Sequence, residues 1–93
     1  MTGEEATMDI IKVSGRSRTS AVAGAIAGVF RENKRVEVQA IGASAINQAV
    51  KAMALAKNYL AEDGYAVVMI SEFVDVEIDE KVRTAIKFVV ELR

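Results

Sequence analysis

Two stretches of helical periodicity each follow a short β-branched run, and this alternation limits the fold of the 93-residue chain more than any other feature. Residues 8–14, MDIIKVS, are β-branched and end at Ser14-Gly15, which reads as a strand. From Thr19 to about Asn33, Val22, Ile26 and Val29 share one face at about 100° per residue, flanked by Ala25 and Phe30. That spacing predicts a helix with Ser17 or Thr19 as its N-cap. Residues 35–41, RVEVQAI, alternate Val36, Val38 and Ala40 with Glu37, Gln39 and Ile41, the period of a second strand. Gly42 breaks this run, and Ser44 is the expected cap of a helix from about Ala45 to Leu60 with an apolar stripe of Ile46, Ala49, Val50, Met53 and Leu60. The EDG of 62–64 turns the chain. Tyr65 to Asp79 is extended, with a break expected near Ser71-Glu72, and Val82 to Leu92 is the last strand.

A helix between the first two strands requires them to be parallel, whereas the last two are close enough to form a hairpin. Matching apolar rows pairs Val74 with Ile86, Val76 with Thr84 and Ile78 with Val82. That register leaves Asp79, Glu80 and Lys81 as the loop and sets Glu77 opposite Arg83. The expected class is α+β, with βαβαββ order. The expected organisation is one domain over residues 8–93 behind a flexible N-terminal tail, 1–7.

The chain contains no histidine and no cysteine. Imidazole bases, histidine-based triads, Cys/His zinc sites, thiolate nucleophiles and disulfides are thereby excluded. We expect no enzyme activity and no cofactor. No run approaches the roughly 20 apolar residues of a membrane span. The opening MTGEEAT is acidic and unlike a secretory leader, so a cytoplasmic location is expected. The formal charge of −1 conceals segregation: residues 10–61 hold eight bases against two acids, a net +6, and residues 62–93 hold four bases against eight acids, a net −4. A basic face on a near-neutral protein attracts phosphate locally.

The loop after the first strand concentrates Lys12, Ser14, Gly15, Arg16, Ser17, Arg18, Thr19 and Ser20 at the start of a helix. Neither a Walker A ending nor a G-x-G-x-x-G fingerprint is present, so a mononucleotide pocket is unsupported. Helix N–H groups with cations and hydroxyls suit a phosphate; a solvated loop with an ordinary serine cap suits the same residues. Ala21, Gly24 and Gly28 form a row that bares the first helix for tight packing against the second. Asn47, Lys51 and Asn58 line a polar flank of the second helix, where phosphate contact competes with routine exposure. Ala52, Leu55 and Tyr59 project nearly opposite its apolar stripe, which predicts a symmetric homodimer through that face. Asp75, Glu77 and Asp79 read as charges that keep a projecting hairpin from edge-to-edge pairing, with Lys81 and Arg83 to neutralise them, rather than as a metal site. Phe30, Phe73 and Phe88 read as structural, leaving Tyr59 and Tyr65 and no stacking platform.

The string VEVQAIGASAINQAVKAMALAKNYL (36–60), behind IIKVSGRSRTSAVAGAIAGVFRE and followed by RTAIKFVVELR, resembles the bacterial stage V sporulation protein S family over residues 8–93. The resemblance implies an Alba-like fold, related in topology to the C-terminal domain of translation initiation factor three. It implies a four-stranded mixed sheet in the order 1-2-4-3 with two helices on one face, and a dimer as the working unit. It further implies a regulatory role in spore coat assembly and in completing development. Binding of DNA or RNA is implied through Lys12, Ser14, Gly15, Arg16, Ser17 and Arg18 in the first loop, Asn47 and Lys51 on the second helix, and Lys81 and Arg83 on the hairpin. The acidic hairpin departs from the basic arm of archaeal Alba proteins, and Arg83 is expected to pair with Glu77. The competing expectation is a protein-interaction module acting through Leu55, Tyr59 and the acidic hairpin.

Overall fold

Ile10–Val13, Arg35–Ala40, Val67–Ile78 and Lys81–Leu92 form strands β1 to β4, and Thr19–Asn33 and Ala43–Glu62 form helices α1 and α2. The computed structural model describes residues 10–93; the expected tail 1–7, with Met8 and Asp9 of the expected first strand, lies outside the described residues. The sheet has the order β1-β2-β4-β3, with β1 parallel to β2 and the other pairs antiparallel. The expected βαβαββ order and strand arrangement are both observed. No helix among the described residues is long and apolar enough to cross a membrane.

One sheet face is buried under the helices. Val36, Val38 and Ala40 of β2, Phe88 and Val90 of β4 and Val67 of β3 meet Val22, Ala23, Ile26, Ala27 and Phe30 of α1 and a row of residues from α2. That α2 row is Ala45, Ala49, Ala52, Met53, Ala56 and Leu60. It is rotated from the predicted stripe: Val50, expected inside, is 48% exposed, and Ala52, expected outside, is fully buried. The reason is that α2 packs on the sheet and on α1 together. Alanines, which lose no side-chain entropy on burial, fill the side where the two helix backbones come close. Leu55 and Tyr59 are half-buried against the core.

The Gly24/Gly28 row does not make the close approach expected of it. A methyl group at either glycine would meet nothing within 4 Å, and Ala21 is exposed. The helices approach through Ala-rich faces on another side of α1.

Both helices point their C-termini to one pole of the molecule, and that pole is bonded shut. Arg31 pairs with Asp63 at 2.6 Å. Gly64 (φ 88°) ends α2: its N–H donates to the Ala61 carbonyl (3.0 Å) and the Tyr65 N–H to the Leu60 carbonyl (2.9 Å), the Schellman pattern. The Tyr65 ring meets Phe30 edge-on at 5.5 Å and carries the Lys34 ammonium 5.3 Å from its centroid.

The hairpin corrects the predicted register by one residue. Strand β3 is unbroken through Ser71-Glu72, Phe73 pairs with Ile86, Asp75 with Thr84, Val76 with Arg83, and Ile78 with Lys81. Only Asp79 and Glu80 remain in the loop, and both are left-handed (φ 52° and 65°). A two-residue loop with both positions left-handed has the twist of the strands it joins, as a three-residue loop does not in general. Apolar residues at 67–70 and again at 73 and 74 leave β3 without one alternating phase, so the rows alone could not choose between registers.

Candidate functional site

The pole opposite the bonded one carries the N-termini of both helices. The loop Ser14–Arg18 folds on its own serines: the Ser14 N–H donates to Ser17 Oγ (2.9 Å) and the Arg16 N–H to Ser14 Oγ (3.1 Å). These hydroxyls are therefore spent inside the loop, and neither caps a helix. The residue before α1 is Arg18, the residue before α2 is Gly42 (φ 88°), and neither end has a side-chain cap or an acidic residue in its first turn. The expected caps Ser17, Thr19 and Ser44 are corrected accordingly; Ser44 lies inside the first turn of α2. Two rows of helix N–H groups thus remain open at one pole.

The loop and the two helix starts are in contact. Gln48 Nε2 donates to the Ser17 carbonyl at 2.8 Å and lies 3.4 Å from Thr19 Oγ1, tying α2 to the start of α1. A β-carbon on Gly15 would sit 2.8 Å from Ser44 Cβ, closer than such atoms come, so glycine is needed for the loop to lie on α2. Gly15→Ala should therefore displace the loop and lower stability by about 1–3 kcal/mol, as overpacking does, read from urea denaturation; an unchanged midpoint would mean that the loop does not lean on Ser44.

Cations with and without ion pairs occur at both poles: among the described residues Lys57 and Arg93, beside Gly64 and Tyr65, are also without one. Arg31, Arg35 and Lys87 are engaged, with Asp63 (2.6 Å), Glu37 (2.8 Å) and Glu72 (3.2 Å) respectively. Among the described residues, Lys12, Arg16, Arg18, Lys51, Lys81 and Arg83 make no ion pair. Arg16 and Arg18 are exposed on the loop. Lys51, exposed, follows Ser44 by two turns, about 10 Å along the α2 axis at 1.5 Å per residue. Asn47 is exposed on the same outer flank of α2.

The corrected register changes what the hairpin arm offers. Arg83 stands opposite Val76, and Glu77 opposite Val82, so the expected Glu77–Arg83 pair does not form. Strand alternation puts Asp75 and Glu77 on one face of the arm and Lys81 and Arg83 on the other. Arg83 joins Lys12 and Gln39 in lining a groove of about 600 Å³ between the end of β1 and the arm, whose walls include Val76, Glu77 and Ile78. Lys81, beside the turn, does not line this groove and is set apart from the loop cations.

Sequence reasoning missed three residues. Gln39 and Gln48 carry no motif and become visible only when β2 and α2 are placed. Phe73, read as structural, is 77% exposed. It lies on β3 two residues past Ser71, which with Val50 and Ala54 lines an apolar groove bordered by Met69 and Phe88.

The family model described as stage V sporulation protein S (SpoVS) matches residues 9–93. The chain belongs to the stage V sporulation protein S family. Among solved structures, Alba from Thermoplasma volcanium is similar with a TM-score of 0.59 and 19% identity, over 88% of this chain and 98% of that one. At that identity the likeness concerns the fold, which is Alba-like. The chain is accordingly a sporulation-family protein on an Alba-like frame.

Proposed function

We propose that the protein is a non-enzymatic, dimeric nucleic-acid-binding regulator that grips the phosphate backbone at the pole formed by the first loop and the two helix N-termini. One observation carries this reading: two uncapped helix starts, with no acidic residue in either first turn, adjoin the loop that carries Arg16 and Arg18, and neither these arginines nor Lys12, on the strand before the loop, has an ion-pair partner among the described residues. Open N–H groups and fixed cations together suit a phosphate oxygen far better than either alone. Lys51 and Asn47 extend the track along α2, and Arg83 and Lys81 add the basic face of the arm. Contacts of this kind set register without reading sequence. The sporulation family is in keeping with a regulator, and the proposal includes a cytoplasmic location and a second copy or a further protein as the other partner.

The dimer face we propose differs from the one expected in the sequence. Ala52 is buried and can touch no second copy, while Leu55 and Tyr59 already pack on the core. Val50, Ala54, Ser71 and Phe73 form an exposed face in which Lys57 is the nearby charge, and a second copy would cover its apolar surface.

The test is fluorescence anisotropy with labelled duplex DNA and single-stranded RNA at several salt concentrations. Saturable binding with log K falling by about two to four per unit of log salt is expected. Flat traces for both would leave an interaction module built on the same frame.

A further inference from the structure

Phe73 stands 77% exposed on the face of β3 that also carries Val67, Met69, Ser71, Asp75 and Glu77, since alternate residues of a strand share a face. Met69 and Ser71 border a groove of about 340 Å³ whose other walls include Val50, Ala54 and Lys57. Toward the end of α2 a second groove, of about 320 Å³, is lined by Lys57, Ala61, Val67 and Arg93 among others. Unpaired charges of opposite sign lie at the two ends of this strip. Asp75 and Glu77, out on the arm, make no ion pair among the described residues, and neither do Lys57 and Arg93 at the other end. Within one chain they do not meet, because the extended strand sets Asp75 about 26 Å from the level of Val67.

We propose that these ends meet between two copies of the chain, the arm of each seated on the far pole of the other. The inference rests on the dimer proposed above and specifies how it closes. A two-fold axis beside Ser71 exchanges positions equally far from it along β3. Phe73 of each chain then comes level with the partner's Met69 and covers the apolar groove there. Asp75 comes level with the partner's Val67, at the second groove, where Asp75 and Glu77 face the partner's Lys57 and the partner's Arg93. Glu62 does not line that groove, and Asp63 is already bonded to Arg31, so no free acid opposes the seating there. The occupant is a second copy because one chain carries both halves of each match, ring and groove, acids and cations, on opposite sides of Ser71. That is the self-complementarity of an isologous contact. It also accounts for acids on an arm whose other face is basic: once the partner covers Asp75 and Glu77, the arm turns only Lys81 and Arg83 to a nucleic acid.

The test is a charge swap, read as the dimer dissociation constant by sedimentation without nucleic acid. Lys57→Glu with Arg93→Glu should weaken the dimer about tenfold, and so should Asp75→Lys with Glu77→Lys, since a two-fold axis makes each pair count twice. All four positions are exposed, so the melting temperature of the monomer should stay within a few degrees. The combined fourfold variant should return to within about threefold of wild type, because the exchanged charges again face one another. Dimers of wild-type strength in either double variant, or no recovery in the fourfold one, overturn the seating of the arm and leave the dimer standing. A wild-type chain that is monomeric throughout removes the dimer and the seating together.

Discussion

Replacing Arg16 and Arg18 together by alanine should weaken binding to duplex DNA and single-stranded RNA alike, on the order of 10- to 100-fold near physiological salt. The slope of log K against log salt should flatten by about two, one for each phosphate that is no longer neutralised. Both side chains are exposed and without ion pairs among the described residues, so the fold should not notice the change. Arg31→Ala is the matched control. It removes one cation from the surface, but one already bonded to Asp63 at the far pole, and should leave both the affinity and the slope in place. If the double variant binds as wild type does, the loop is only a folded turn and the backbone reading fails. If Arg31→Ala weakens binding equally, the effect is one of overall charge rather than of the pole.

Val50→Asp combined with Phe73→Asp should convert a dimer into monomers at micromolar concentration, measured by sedimentation. The two residues are 48% and 77% exposed in the single chain, so charging them costs the monomer little, within the roughly 0.5 kcal/mol usual for surface positions. Burying two pairs of carboxylates in an apolar contact, by contrast, is prohibitive without partners. Affinity for long duplexes should fall as well, because a dimer engages one ligand at two poles and a monomer at one. Leu55→Asp gives the useful contrast. Its side chain is already packed on the core, so the substitution should lower the melting temperature before it alters assembly. A wild-type chain that sediments as a monomer would overturn the dimer altogether. Dimers that survive the double substitution would move the contact elsewhere.

Much of the frame is legible in particular residues. The alternation of Val36, Val38 and Ala40 fixes which face of β2 is buried, and the loop before Thr19 is visible as a cluster of bases and hydroxyls. The candidate site is legible only in its charges. Nothing in the sequence says that Ser14 and Ser17 satisfy each other instead of capping a helix, because their hydrogen bonds depend on the turn the loop takes. Gly15 looks like an ordinary turn glycine until Ser44 is found against it. The two helix starts are 24 residues apart in the chain and meet only because the parallel strands β1 and β2 end at the same level.

Two errors in the sequence reading share one cause. Helical periodicity assigned α2 a stripe through Val50, and apolar matching assigned the hairpin a register. Each method asks what a single element or pair would prefer. The α2 stripe rotated because a second neighbour, α1, competes with the sheet for its surface, and close packing rewards alanine there. The register shifted because the backbone twist at Asp79 and Glu80 outweighed the match of side chains on an arm that is largely exposed.

By itself, then, the sequence determined the order of elements, the parallel first pair and the charge of the first loop, since these follow from local period and composition, while the family came from resemblance over the whole domain. Only the tertiary structure decided which cations are free and which are spent, and that Arg83 and Glu77 part company. It also decided that Phe73 rather than Ala52 stands in solvent. Those outcomes depend on distances between residues far apart in the chain, and a one-residue shift at a turn is enough to reverse them.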